Sequence, residues 1–438
     1  MPCREKRRSM KVFNMYQKTV LSNGVRIITE KIEHYKSVSL GIWVGTGSRD
    51  ENNINNGISH FIEHMLFKGT PSRDTLLIAK ELDAIGGLSN AFTGKEYTCF
   101  HSKVLDKDFF TLAEILSDIF LNSSFDPEDI EREKQVVLQE ISMVEDSPEE
   151  QIHELFNTQF FNNHPLGLPV LGTSETVSSI TRDTIFEHLK KYYSPDRIII
   201  AAAGNIEHDD VVRTFEKQFG SLMPVTRESK EYFHKLHSSI LCTYRELEQI
   251  NICMGGKAPT LSSDMRFAGA ILNTILGGNM SSRLFQEIRE KRGLAYSIYS
   301  FLSAYMDAGM LGICVGTGPG EVNNVLDVIN KEIVRMQEGD LTEKDVNEAK
   351  DHLVGGIILG AENTDSRMMR LAKNEFVFGR HIEYEELVDD LKTVTLDDIV
   401  SCIRQAFSPG GVAITTLGSV NRGDLNLKNN LFFSNPAV

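Results

Sequence analysis

The sequence predicts two similar domains, each mixing β-strands with α-helices around its own core. Three observations carry this. At 438 residues the chain exceeds what one ordinary core holds. Runs of strand character and runs of helical period follow one another along it. A late stretch, GGVAITTLGSV, echoes an earlier one, RIIIAAAGNI, with Gly418 lying 214 positions after Gly204. A repeat of about 210 residues implies two copies of one architecture.

Composition narrows the function. Hydrophobic content of 41% and charged content of 24% describe a folded, water-soluble chain. No stretch approaches the ~20 apolar residues of a membrane span. A net charge of −15 argues against nucleic-acid binding and leaves room for basic or neutral peptide partners. The six cysteines, Cys3, Cys99, Cys242, Cys253, Cys314 and Cys402, are scattered with no C-x-x-C pair. They read as reduced thiols of a cytoplasmic protein. The basic N-terminus lacks the apolar stretch of a secretory signal, so residues 1–15 are expected to be a flexible extension.

Taken in order, KTVLSNGVRIITE reads as a hairpin turning at Ser22-Asn23-Gly24. Val38 to Val44 is a largely apolar strand. A short helix follows, with Asn55-Asn56 as capping residues and Gly69 and Pro71 beyond its end. At about 100° per residue, Ile58, Phe61, Ile62, Met65 and Leu66 share one stripe of it, and His60, Glu63, His64 and Phe67 share the other. One face is buried and the other offers chemistry. Two imidazoles one turn apart can converge on one Zn²⁺ ion, and a carboxylate on the same stripe can take a proton from an activated water. The order H-x-x-E-H is among the zinc-hydrolase signatures, although five letters also arise by chance on a surface helix.

A helix over Thr75 to Ile85 comes next. Gly86-Gly87 breaks it, and LSNAFTGKEYTCFHSKVL resumes as strand; either an internal strand or one that pairs with an extended peptide fits its spacing. Asp108 to Leu121 is helical. Asp126-Pro127 then opens a long helix with a cap, a first-turn proline and early acids. On it Glu133 and Glu140 lie seven apart, nearly superposed in projection. One can reach the metal as third ligand and the other can support it from behind. Helical character returns through Phe156 and over Asp183 to Tyr192, Arg197 to Ile206 is a buried strand, and Asp209 to Phe219 is a helix. The charged stretch from Gly220 has no clean period and reads as a linker. In the second half, Ile250 to Met254 with Gly255-Gly256 mirrors Ile42 to Val44 and its glycine turn. A helix from Met265 to Leu276 takes the place of the H-x-x-E-H helix without its polar triad. Ser281-Ser282 cap a short helix that Gly293 ends, placing Arg289 near its close and Tyr296 early in the next strand. Both side chains can donate to a peptide carbonyl and to a developing oxyanion.

Four stretches together, NGISHFIEHMLFKGT, GGLSNAFTGKEYT, EREKQVVLQEI and RLFQEIREKRGLAYS, resemble the inverzincin peptidases of the pitrilysin/insulinase (M16) family. More narrowly, residues 16 to 423 are similar to bacterial processing-peptidase-like members related to the mitochondrial processing peptidase β subunit. The family's third ligand follows the second histidine after about 75 residues, and 75 residues separate His64 from Glu140. The resemblance therefore implies that His60, His64 and Glu140 bind one Zn²⁺ per chain, that Glu63 is the general base and that Glu133 is a supporting acid. It implies that Arg289 and Tyr296 hold substrate and steady the tetrahedral intermediate, and that Asn90 and Ala91 lie on the edge strand that receives the peptide.

The fold it implies is α+β: two homologous domains, each an antiparallel sheet flanked by helices, facing each other across a peptide-binding chamber. The expected divisions are a catalytic domain over 16–219, a linker over 220–245, a second domain over 246–423 carrying the Arg/Tyr pair, and a tail over 424–438. The activity implied is a zinc metalloendopeptidase acting on unfolded peptides, cytoplasmic and homodimeric. A non-catalytic peptide-binding or assembly subunit is the alternative, against which the intact motif and Glu140 stand.

Overall fold

The computed structural model describes residues 15–225 and 239–427. The expected N-terminal extension up to residue 14, the middle of the linker and the tail beyond 427 lie outside the described residues. Six strands form the first sheet: β1 (Met15–Val20), β2 (Arg26–Lys31), β3 (Ser37–Val44), β4 (Leu88–Thr93), β5 (Thr98–Leu105) and β6 (Ile198–Gly204). Their order is β1-β2-β6-β3-β5-β4. Five form the second: β7 (Ser239–Tyr244), β8 (Ile250–Lys257), β9 (Ala295–Ala304), β10 (Gly309–Thr317) and β11 (Val412–Gly418), in the order β7-β11-β8-β10-β9.

The two sheets repeat one plan. Each is antiparallel apart from a single parallel pair, β2 with β6 and β7 with β11. The echoing stretches RIIIAAAGNI and GGVAITTLGSV are β6 and β11, each lying between its parallel partner and an antiparallel one. The hairpin read around Asn23-Gly24 pairs Val20 with Arg26 and closes through Gly24 at φ +101°, a left-handed conformation that suits glycine.

Among the described residues, eight α-helices belong to the first half: α1 (Ile58–Leu66), α2 (Thr75–Ala84), α3 (Phe109–Asn122), α4 (Pro127–Asp146), α5 (Pro148–Phe160), α6 (Ser174–Ser179), α7 (Arg182–Tyr192) and α8 (His208–Phe219). The second half supplies α9 (Arg266–Leu276), a π-helical turn over Phe285–Glu290, α10 (Val322–Gln337), α11 (Glu343–Gly360), α12 (Thr364–Phe378), α13 (Tyr384–Thr393) and α14 (Leu396–Ala406). In β3 the side chains alternate between two cores, as period 2 requires. Val38, Leu40, Ile42 and Val44 pack with Phe61, Met65, Phe109 and Phe215 of the first half's helices.

The other face of each sheet is covered by a helix from the opposite half. Trp43 of β3 and Ile199 of β6 meet Met368, Leu371 and Ala372 of α12, and the indole N–H of Trp43 donates to Met368 Sδ at 3.3 Å. Conversely, Ile152, Phe156 and Phe160 of α5 pack on Cys253, Met310, Ala413 and Leu417 of the second sheet. Lys18 adds an ion pair to Glu375 of α12 at 2.7 Å, and Arg49 bonds both Glu96 and, across the halves, Asp307. This exchange fixes the two halves against each other.

Three expectations are corrected. Gly255-Gly256 is no turn: both lie inside β8, and a Cβ on Gly256 would come 1.6 Å from the carbonyl oxygen of Ala406 at the end of α14, so the close approach excludes a side chain. The end of the stretch read as linker is β7, an edge strand whose half-exposed sides blur its alternation. The reduced-thiol reading fails for Cys253 and Cys314, which form a disulfide with Cα atoms 4.4 Å apart. The register of β8 and β10 sets them directly opposite each other, a proximity that a separation of 61 residues hides. Among the described residues no helix is long and apolar enough to cross a membrane.

The exchanged packing yields a test. Phe156 is fully buried between α5 and the second sheet, so Phe156→Ala is expected to cost about 3–5 kcal/mol, read as a lowered midpoint in urea unfolding, with Phe156→Leu much milder.

Candidate metal centre

The helix α1 is held by its apolar face. Ile58, Phe61, Ile62, Met65 and Leu66 are all at most 1% exposed. Its start differs from expectation. Asn55 and Asn56 do not cap it; Gly57 does, at φ +91°, with no side-chain acceptor of its own. The acceptor is Glu51, a buried carboxylate that takes the N–H of Gly57 at 2.7 Å, the N–H of Ser59 at 2.8 Å and the amide of Asn56 at 2.9 Å. These bonds satisfy donors that a helix start leaves open. Burial still drives the Glu51 carboxyl above the usual carboxylate range, outweighing them. Sequence reading missed Glu51, because no capping pattern marks an acceptor that reaches back through a loop.

On the opposite face, His60 and His64 point their Nε2 atoms at each other, 3.2 Å apart. Glu140 of α4 sends Oε2 to 3.8 Å from the first and 3.7 Å from the second. A triangle with sides of 3.2, 3.7 and 3.8 Å has its equidistant centre about 2.1 Å from each corner, the length of Zn–N and Zn–O bonds. The donor set therefore fits a zinc ion. Glu133 stands one step back: its Oε1 accepts from Nδ1–H of His64 at 2.8 Å, and its other oxygen pairs with Lys68 at 2.5 Å. With its proton on Nδ1, His64 keeps the Nε2 lone pair free for an ion. Of the two glutamates that the helix spacing left open, Glu140 completes the triangle and Glu133 backs a histidine.

Charge states follow from these surroundings. Burial, reinforced by the His64 charge, pushes His60 down to about 4, so its imidazole is neutral near pH 7. For His64 burial pulls the same way but is outweighed by Glu133 and Glu140, and the pKa rises. Glu133 is buried too, yet His64 and Lys68 hold it below the usual range. Burial raises Glu63 despite the bond its Oε2 accepts from the Thr93 hydroxyl at 2.6 Å. A carboxylate shifted toward neutrality is a better proton acceptor near pH 7.

Beside these groups lies a cleft of about 450 Å³, with Phe67, Ile78 and Leu82 on its apolar side and Asn90 and Ala91 on its rim. Asn90 and Ala91 belong to β4, which among the described residues is an edge strand paired only with β5. Arg289 and Tyr296 are brought together elsewhere: the guanidinium lies 5.1 Å from the Tyr296 ring centre and 4.8 Å from that of Phe285. Tyr296 sits on β9, the edge strand in the second sheet's equivalent of the β4 position, and is 77% exposed. Among the described residues neither side chain touches the metal triangle.

Comparison with known proteins identifies the family. Residues 26–174 match the family model for insulinase (peptidase family M16), and residues 179–353 match that of the peptidase M16 inactive domain. The chain is 40% identical over 394 residues to the uncharacterized zinc protease YmxG of Bacillus subtilis, covering 90% of this chain and 96% of that one. It is 38% identical over 397 residues to an uncharacterized zinc protease of Streptomyces coelicolor, covering 89% and 86%. A crystal structure of a protease from Helicobacter pylori shares the fold at a TM-score of 0.86 and 20% identity, over 92% of this chain and 99% of that one. The paired models, which divide the chain into a half that bears the metal triangle and a half that does not, and relatives matching nine-tenths of its length place this chain in the insulinase family of peptidases, family M16.

Proposed function

We propose that this chain is a zinc-dependent endopeptidase that hydrolyses unfolded peptides, with His60, His64 and Glu140 holding one ion per chain. The observation that carries the reading is the triangle of their donor atoms, sized for zinc, with Glu63 on the same helix face. When bound, zinc would polarise the scissile carbonyl and acidify a water molecule. Glu63, poised by burial, takes the proton of the attacking water and returns it to the leaving amine. Glu133 keeps His64 in its ligating tautomer. The open backbone of β4 at Asn90 and Ala91 receives the substrate as an added strand, which selects for unfolded chains. Arg289 and Tyr296 donate to the substrate as negative charge builds on its carbonyl oxygen. Because one chain holds both sets, we infer a self-sufficient active subunit, working as a cytoplasmic homodimer with the two halves enclosing the peptide. In this reading the first half, residues 16–219, is the catalytic domain and residues 246–423 the second.

Zinc content measured beside cleavage of an unstructured peptide library tests it. One zinc per chain with cleavage is expected; zinc without cleavage favours the non-catalytic peptide-binding subunit, and absence of both overturns the reading. Glu63→Gln is expected to retain zinc and lose turnover by at least 10³-fold, roughly the scale of acid–base catalysis with an added electrostatic loss; unchanged turnover would remove Glu63 as the base. In His64→Ala, zinc should be absent from the purified protein, and full occupancy would refute the ligand set. Glu133→Ala should bind zinc about 10–100-fold more weakly in a chelator competition, with Glu140 and both histidines still in place.

A further inference from the structure

A second cluster of metal-binding atoms lies away from the triangle, between α5 and the second sheet. The antiparallel register of β8 and β10 puts Cys253 opposite Cys314. Their side chains leave the sheet on the face that α5 covers, where Ile152 and Phe156 pack beside them. Among these apolar neighbours α5 presents His153, whose Nδ1 is 3.9 Å from Cys314 Sγ. The three potential ligand atoms lie within 4.8 Å of one another. The other ring nitrogen of His153 is 2.5 Å from the hydroxyl of Tyr299 on β9, an arrangement that lets Nε2–H donate to Tyr299 while Nδ1 keeps a lone pair toward the sulfurs. Burial lowers the pKa of His153, which keeps the ring neutral.

We propose that reduction of the Cys253–Cys314 disulfide opens a second metal site, in which both thiolates and His153 Nδ1 hold a thiophilic divalent cation such as Zn²⁺. The steps balance with a dithiol as reductant. It supplies two electrons and two protons, the S–S bond breaks, two S–H bonds form, and the reductant closes into its own disulfide. Metal binding then releases both thiol protons to solvent. Two thiolates, one neutral imidazole and a divalent ion sum to zero charge, which is the form that a buried, largely apolar place tolerates. Three protein ligands leave a fourth position for water, and Tyr299, bonded to His153, is 41% exposed. Tyr299 would fix the His153 tautomer as Glu133 fixes that of His64. In the disulfide form neither sulfur is a thiolate, so the site exists only in the reduced chain. Its occupancy would join β8 and β10 to α5, and α5 follows the glutamate-bearing α4 after the single residue Ser147.

Co²⁺ binding to the full chain carrying His64→Ala, which removes the first site, tests this. The dithiothreitol-reduced protein, freed of reductant under argon, is expected to take one Co²⁺ with a thiolate-to-cobalt charge-transfer band in the near ultraviolet. The same protein before reduction, and reduced Cys314→Ser, should show no such band, and His153→Ala should bind at least tenfold more weakly. Thiols titrated in denaturant should rise by two on native reduction. A reduced spectrum that coincides with that of the oxidised chain, or a thiol count that does not rise by two, overturns the proposal. The oxidised and reduced forms of one protein supply the comparison even where a variant folds poorly. Zinc loss and inactivity at the first site would leave all of these readouts unaffected.

Discussion

The Nε2 atoms of His60 and His64 stand 3.2 Å apart with Glu140 beside them, and the packing of α1 holds them there. Five side chains on the far side of α1 are buried in the first core. At about 1.5–3 kcal/mol each, their burial anchors the helix that carries both rings. Glu51 fixes the helix start and Glu133, anchored by Lys68, fixes the His64 ring. The spacing of the donor atoms is thus imposed by the fold itself.

The same logic extends outward through the exchanged helices. Glu140 reaches the histidines from α4, and α4 runs into α5, which packs on the opposite half's sheet. In return α12 covers Trp43 and the back of the first sheet. A rotation of one half against the other would have to break two buried interfaces, so the position of Glu140 is tied to the relation between halves as well as to its own helix.

Much of this was legible in the sequence, and the limits have physical reasons. The two stripes of α1 follow from helical period alone, and so does the superposition of Glu133 on Glu140. Which glutamate lies beside both histidine Nε2 atoms does not, because projection along a helix ignores the two turns between them; in the structure it is Glu140, at 3.8 and 3.7 Å. Glu51 escaped because its partners lie six and eight residues on, across a loop. The pairing of Cys253 with Cys314 depends on strand register, and Gly256 of β8 answers to the end of α14, which comes some 150 residues later. The exchange of α5 and α12 escaped for a related reason: an amphipathic period shows that a helix buries a face, and says nothing about whose sheet it covers.

The duplicated plan also shows why, among the described residues, the second half has no counterpart of the triangle on α1. The helix α9 stands where α1 stands, yet Ala268, Ile271, Leu272, Ile275 and Leu276 are buried within the second core, and Gly269 and Thr274, from its other sides, are buried as well. Its less buried stripe, Arg266, Ala270 and Asn273, carries neither histidine nor carboxylate, so it offers no ligand set like that of α1. What the halves keep in common is the open edge: β4, LSNAFT, and β9, AYSIYSFLSA, end their sheets in the same position. An exposed edge invites pairing with other chains, and proteins ordinarily blunt it with lysine or proline. Neither strand carries one. Retaining an unguarded edge beside a metal-sized triangle is costly in aggregation risk; under the proposed function the substrate strand would use that edge, and strand register would decide which bond of an extended peptide lies beside the triangle.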